Sequence, residues 1–261
     1  MADERILIER DDKDIVTVTI NRPEKLNALT KSMWGKLGET FAELSTDDGV
    51  RCIVLTGAGE KSFSPGNDIG EFETDRSNSE QAAAYGDLMA RNIDAMRACP
   101  HPTVAAIRGI CVGGGMEIAG LCDIRICGEG SRFGVPIAKL GLVMGYDELG
   151  ALKSLVGAGR ALEILLEGRI FDAAEALRLG VVSRVVPDAD VMGEARATAE
   201  RVAAGAPLVH RWHKKFLERL EDPAPLTASE IAEGYECYDT EDFRTGYKAF
   251  LEKKTPDFKG R

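Results

Sequence analysis

Histidine is scarce in this chain, with 3 among 261 residues. His101, His210 and His213 stand at no metal-ligand spacing, which leaves them solvated or helix-capping roles. Cysteine never occurs as C-x-x-C: Cys52, Cys99, Cys111, Cys122, Cys127 and Cys237 fall mostly in apolar runs. They read as reduced core thiols rather than disulfides or zinc ligands, and no metal site is expected. Positive charge is in deficit, 33 Lys and Arg against 43 Asp and Glu, for a net charge of −10. A surface of that sign offers no basic face to nucleic acid or to an anionic membrane. No apolar run reaches the roughly 18 residues that suggest a membrane span. The start, MADERILIERDD, has charges where a signal peptide needs an apolar stretch, so the expected location is cytoplasmic. Two common phosphate-binding motifs are missing as well. A dinucleotide fingerprint starting at Gly113 and Gly115 would need glycine where Ile118 stands, and TGAGEKS (56–62) puts Glu60 where a P-loop has its second glycine.

What is present is core and glycine. Hydrophobic residues make up 44% and charged residues 29%, enough apolar material for a substantial buried core. The most informative stretch is AAIRGICVGGGMEIAGLCD (105–123). It reads as an apolar strand ending near Ile107, a glycine-rich turn, and a helix running from Met116. Gly113, Gly114 and Gly115 lack Cβ, so a ligand can approach the backbone closely. The helix start leaves N–H groups unpaired and directs the positive end of its dipole at them, an arrangement that stabilises an anion. Glu117 lies in that first turn, so hydrogen-bond donors and an acid/base group share one place. The plainer reading is close glycine packing of strand on helix, with Glu117 as a helix-start charge.

The rest of the chain predicts an α/β fold. Ile6–Glu9 and Ile15–Ile20 form a hairpin around Arg10–Asp14. Thr30 caps a helix over Lys31–Leu44, and CIVLT (52–56) is a buried parallel strand. GAGEKSFSPGNDIGEF follows as a turn-rich loop at the C-terminal edge of that strand, where α/β proteins place ligands. Thr74–Gln81 reads as a polar loop, Ala82–Cys99 as a helix, and Val104–Ile107, Ile124–Cys127 and Arg132–Val135 as strands. Helices are expected over 147–156, 159–166, 173–179, 191–204, 207–220, 226–238 and 241–253. Residues 1–190 therefore read as a core domain and 191–261 as a helical region that must dock on something.

Six segments in order give this pattern a family. NRPEKLNAL (21–29), FSPGNDI (63–69), RGICVGGGMEIAGLCD (108–123), FGVPIAKLGL (133–142), EGRIFDAAEALRLGVVSRVVP (167–187) and TEDFRTGYKAFLEKKTPDFKG (240–260) resemble the enoyl-CoA hydratase/isomerase (crotonase) family along the whole chain. The resemblance implies a spiral of ββα repeats with a C-terminal all-helical oligomerisation region, assembled as a homotrimer or homohexamer. It implies an enzyme acting on an acyl-CoA thioester, with coenzyme A as part of the substrate and no separate cofactor. By similarity the N–H groups of Asn67 and Gly114 form an oxyanion hole and Glu117 is the acid/base residue. Ser64, Pro65, Asp68, Ile69, Gly113 and Ile137 line the substrate site, while Arg22, Lys25, Phe250 and Lys253 match contacts to CoA. Tyr238 and Phe250 are equally readable as core or interface.

One departure bears on the reaction. Family hydratases place a second glutamate just after the F-G-x-P turn, and this chain has Ile137 there. Ordinary two-carboxylate hydration is therefore not expected. Glu148 is a candidate replacement, against the simpler reading that Asp147 and Glu148 only cap a helix. An acyl-CoA-binding scaffold without catalysis is the alternative from another class. Within the enzyme reading, hydration of a 2,3-double bond competes with isomerisation and with C–C or C–S cleavage. Family isomerases commonly place their base at the position of Ile137, so simple isomerisation is not favoured by the departure either.

Overall fold

The opening hairpin sets one edge of a parallel sheet. In the computed structural model, which describes residues 5–261, Ile6–Arg10 (β1) pairs antiparallel with Ile15–Ile20 (β2). The turn closes because Asp11 Oδ1 accepts the N–H groups of Lys13 and Ile15, and Asp14 takes a φ of 59°. Thr30 then caps Lys31–Ser45 (α1), its side chain accepting the Met33 N–H.

From there the chain repeats one step. A long strand in the first sheet is followed by a short strand in a second sheet and then by a helix. Cys52–Gly57 (β3) leads to Ser62–Ser64 (β4), a four-residue helix Phe72–Asp75 (α2), and the long helix Ser79–Ala98 (α3). Thr103–Ile107 (β5) leads to Ile110–Val112 (β6) and Gly114–Leu121 (α4). Ile124–Gly128 (β7) leads to Arg132–Gly134 (β8), Tyr146–Val156 (α5) and Ala158–Glu167 (α6). After Phe171–Asp172 (β9) and Ala173–Leu179 (α7), Arg184–Val186 (β10) closes the first sheet. That sheet has the order β1-β2-β3-β5-β7-β10 and the second β4-β6-β8-β9. This is the expected ββα spiral.

Both faces of the first sheet are covered at its centre, which is why β3 and β5 are buried along their whole length. Ile53 and Leu55 face the larger core, where α1 inserts Met33, Trp34, Leu37 and Phe41, and α3 inserts Tyr85, Met89 and Met96. Cys52 and Val54 face the other way. Val104, Ala106 and Ile126 join them beneath Val191, Ala195 and Ala199 of Val191–Ala203 (α8). Five of the six cysteines are buried, and all six are free thiols. A boundary at residue 190 runs between the sheet and the helix that covers one of its faces. The helices that stand further out are Pro207–Arg219 (α9), Ala228–Glu233 (α10) and Glu241–Glu252 (α11). They are tied back by Arg211 to Asp48 (2.6 Å), Lys214 to Asp123 (2.9 Å) and Arg51 to the Phe258 carbonyl (2.7 Å).

Some boundaries differ from the sequence reading, for identifiable reasons. Asn78 accepts the Gln81 N–H, so α3 starts at Ser79 inside the stretch expected to be loop. Helix α4 starts at Gly114 rather than Met116. The helix expected over 226–238 is shortened by a Thr227–Glu230 capping box at its start and gives way to a 3-10 turn over Glu236–Asp239. His101 is buried, and its Nε2 meets the Leu44 carbonyl in the last turn of α1 at 2.9 Å, which is the helix-capping alternative rather than the solvated one.

Candidate active site

Two segments meet at the centre of the molecule, each rigid for local reasons. The first leaves β4 through Ser64, Pro65, Gly66 and Asn67. Ser64 is buried, and its Oγ donates to the Asn27 carbonyl (2.9 Å) while accepting the Gly66 N–H (3.0 Å). Gly66 adopts a φ of 90°, which favours glycine. The 21–29 loop holds this segment from outside. Leu29 N–H donates to Gly66 O (2.8 Å) and Asp68 N–H donates to Leu29 O (2.9 Å). The Asn67 side chain turns inward, its Oδ1 accepting from Trp34 Nε1 (2.6 Å) and the Tyr85 hydroxyl (3.3 Å). Its main-chain N–H has no hydrogen-bond partner among the described residues.

The second segment is the start of α4. Gly113, at a φ of 54°, donates its N–H to Gly134 O (2.8 Å) and turns the chain into the helix. The Gly114 N–H, the first of the helix, is likewise without a partner among the described residues. The two segments touch so closely that glycine is required on both. A Cβ on Gly66 would come within 2.5 Å of Gly114 N, and one on Gly115 within 2.0 Å of the Ser64 carbonyl. Two unpaired N–H groups are thus presented by adjoining backbones.

Glu117 sits one turn into α4. Only 8% of it is exposed, and Oε1 is buried without a hydrogen-bond partner among the described residues. Burial pushes its carboxyl well above the usual carboxylate range. The negative charge of Glu148 adds to the rise, and the Arg76 guanidinium opposes it. Met116, Val135, Met144, Leu152 and Leu155 make a small apolar crevice around it.

The other predicted residues divide. Ile137 opens a 3-10 turn over Ile137–Leu140 and packs against the main core, so its position is apolar in surroundings as well as in identity. Glu148 accepts the Gly145 N–H at 2.6 Å and so closes the start of α5, as the helix-capping reading expected. It is also near enough to Glu117 for its charge to be felt there. Arg22 and Asp68 pair with each other at 2.7 Å, and the pairing holds the Asp68 carboxyl below its ordinary range. Together they brace the 21–29 loop against the 64–69 loop. Lys25 ends an exposed 3-10 turn, and Ile69 is exposed. Phe250 is 83% exposed and Lys253 caps α11 in a left-handed conformation. No hydrogen bond or ion pair among the described residues joins Phe250 or Lys253 to Lys25 or Glu117.

Sequence reasoning missed Trp34, Tyr85 and Arg76. Trp34 falls in the apolar stripe of the helix expected over 31–44, and Tyr85 lies within the helix expected over 82–99. A buried indole N–H and phenol O–H both need acceptors, and that was the available signal that something polar lay opposite. Arg76 stood in a stretch with no pattern at all.

Comparison with known proteins bears on the family of the chain. A family model described as enoyl-CoA hydratase/isomerase matches residues 10–261. The chain is 35% identical over 260 residues to a short-chain-enoyl-CoA hydratase of Clostridium acetobutylicum, covering 98% of each. It is 37% identical over 257 residues to an (E)-benzylidenesuccinyl-CoA hydratase of Thauera aromatica, covering 94% of this chain and 96% of that one. Among solved structures, an enoyl-CoA hydratase/carnithine racemase from Magnetospirillum magneticum superposes with a TM-score of 0.96 at 49% identity, covering 98% of this chain and 96% of that one. With a family model spanning nearly the whole chain and relatives matching end to end, the chain belongs to the enoyl-CoA hydratase/isomerase family.

Proposed function

We propose that this acyl-CoA-processing enzyme moves a proton at the α-carbon of a CoA thioester, with Glu117 as the acid/base group. The developing enolate puts negative charge on the thioester oxygen, and the N–H groups of Asn67 and Gly114 are placed to receive it. One such donor is typically worth about 10²–10³ in rate. The observation that carries the reading is the Glu117 carboxyl, buried with an oxygen unpartnered among the described residues, one turn along α4 from the Gly114 donor. An unsatisfied buried polar group costs about 1–3 kcal/mol. A scaffold that only bound acyl-CoA would carry that cost with no return. Lys25, Phe250 and Lys253 are the candidates for the adenine and phosphate end of CoA.

Hydration by two glutamates does not fit, because Ile137 supplies no second carboxylate and packs on the core. C–C or C–S cleavage, or an isomerisation in which Glu117 takes the place of a base at position 137, needs only one proton-transfer group beside the oxyanion donors, with Glu148 at most assisting. The test is a panel of acyl-CoA thioesters followed by mass and retention time. Crotonyl-CoA should gain water slowly or not at all, and Ile137→Glu should raise that rate. Efficient hydration of crotonyl-CoA by the unaltered enzyme, surviving Glu148→Gln, would overturn the one-carboxylate reading.

Assembly belongs to the same proposal. Leu217, Tyr235, Tyr238, Phe250 and Leu251 of the C-terminal helices are all exposed in the single chain. We read them as contacts in a trimer or a dimer of trimers. Light scattering at micromolar concentration should report three or six copies, and a stable monomer would exclude this.

A further inference from the structure

Arg76 is a cation that this site leaves unmatched. It follows α2, and its guanidinium carbon lies 4.8 Å from the ring centroids of both Phe72 and Tyr85. The Tyr85 ring is buried, and its hydroxyl lies within bonding distance of both Asn67 Oδ1 (3.3 Å) and Glu71 Oε2 (3.4 Å). A single aromatic side chain therefore links Arg76 to the loop that presents the Asn67 N–H. Stacking occupies the flat face of a guanidinium and leaves its edge donors free. Among the described residues the Arg76 side chain makes no hydrogen bond and no ion pair.

The acids nearby do not supply the missing partner. Asp75 pairs with Lys31 at 2.9 Å, and Glu71 accepts the Lys31 main-chain N–H at 2.7 Å. Glu148 caps α5 through Gly145, and Glu117 is buried in its crevice. The Arg76 charge nevertheless reaches Glu117, where it opposes the effects of burial and of Glu148. The geometric tie to the site is Tyr85, whose ring packs against the Arg76 guanidinium and whose hydroxyl reaches Asn67 Oδ1 at 3.3 Å.

We propose that Arg76 receives a carboxylate carried by the acyl group, so that the substrates of this site are CoA thioesters of dicarboxylic acids. This rests on the reading of Asn67, Gly114 and Glu117 as the thioester end of the site. A planar carboxylate matches the fork of two guanidinium N–H groups, and such pairs are among the stronger hydrogen bonds. A second negative charge placed beside Glu117 and Glu148, in a chain of net charge −10, also needs a local cation to offset it. The CoA phosphates are the other anion available. They lie a full pantetheine arm from the thioester, whereas Arg76 lies beside the Asn67 loop.

The experiment is calorimetric binding of three unreactive probes to the intact protein: butyryl-CoA, glutaryl-CoA and free CoA. The two thioesters differ only by a terminal carboxylate. The unaltered protein should bind glutaryl-CoA roughly ten- to a hundredfold more tightly than butyryl-CoA, the range expected for hydrogen bonds between charged groups. Arg76→Gln should collapse that ratio towards one, and Arg76→Lys should keep part of it by keeping the charge without the fork. Equal binding of the two thioesters by the unaltered protein overturns the assignment. So does an Arg76→Gln variant that weakens free CoA as much as glutaryl-CoA, since Arg76 would then be reading phosphate. Failure of the unaltered protein to bind either thioester overturns the acyl-CoA site itself, a result distinct from loss of the preference alone.

Discussion

Helices α4 and α5 both start from a glycine, Gly113 and Gly145, and both carry a glutamate in the first turn. The two carboxylates end in different states. Glu148 lies at a half-open surface next to the exposed Tyr146 and accepts the N–H of Gly145. Glu117 belongs to a helix whose residues Gly115 to Ala119 are all buried, and one of its oxygens has no hydrogen-bond partner among the described residues. A helix start favours the ionised form by about 0.3–1 kcal/mol at an exposed position. Removing a carboxylate from water costs several kcal/mol. Burial therefore wins at Glu117 and the carboxyl is pushed up, in spite of the dipole. The same residue type at the same kind of place is a cap in one helix and a buried carboxyl pushed above its ordinary range in the other, according to what packs over it.

The largest test of that contrast is Glu117→Gln. Turnover on any accepted thioester should fall by about 10²–10⁴, the usual share of general acid–base catalysis, while thioester binding persists. The same variant has a stability signature. Because the folded-state value is raised, the contribution of Glu117 to stability is fully present below its ordinary value of 4.5 and is lost as pH rises through the folded value. Glutamine has nothing to ionise. Denaturation midpoints should therefore shift in favour of the variant as pH rises above about 4.5, relative to the unaltered protein. A difference that stays flat with pH would mean that the carboxyl is not held in a raised state.

How much of this was legible beforehand depends on whether the cause was local. The Thr30 cap, the glycines at 113–115 and the buried strand β3 were readable because each follows from neighbours in sequence. The three-residue strands β4 and β6 were not, since Ser62–Ser64 is a strand only through its pairing with Ile110–Val112, and Ile110–Val112 only through its pairing with β4 and β8. Gly109, at a φ of 64° and packed on the Lys61 carbonyl, separates β6 from β5 and looks in sequence like one more loop glycine. The residues of the 64–69 loop were singled out through the family resemblance. Their bracing by Trp34, Tyr85 and the Arg22–Asp68 pair was not found, because those contacts join positions between 18 and 46 residues apart.

Glu148→Gln is the smaller and finer test. Glutamine keeps a carbonyl oxygen for the Gly145 N–H, so the start of α5 should survive and the chain should fold. What it removes is a negative charge that helps to raise the Glu117 carboxyl. Removing it lets Glu117 ionise more easily. The pH limb of turnover that belongs to Glu117 should then move to lower pH, whether the rate-limiting step needs the acid or its conjugate base. The limb should not return to the ordinary carboxylate range, because burial is the larger cause and is untouched. At its plateau the variant should lose well under about 10² in turnover, the lower bound for a group that itself transfers the proton. A pH–rate profile decides among the outcomes. A displaced limb with a near-normal plateau keeps the two glutamates in separate roles, one as acid and one as cap. A fall as deep as that of Glu117→Gln, with the limb unmoved, would put both carboxylates on the substrate and erase the distinction between the two helix starts.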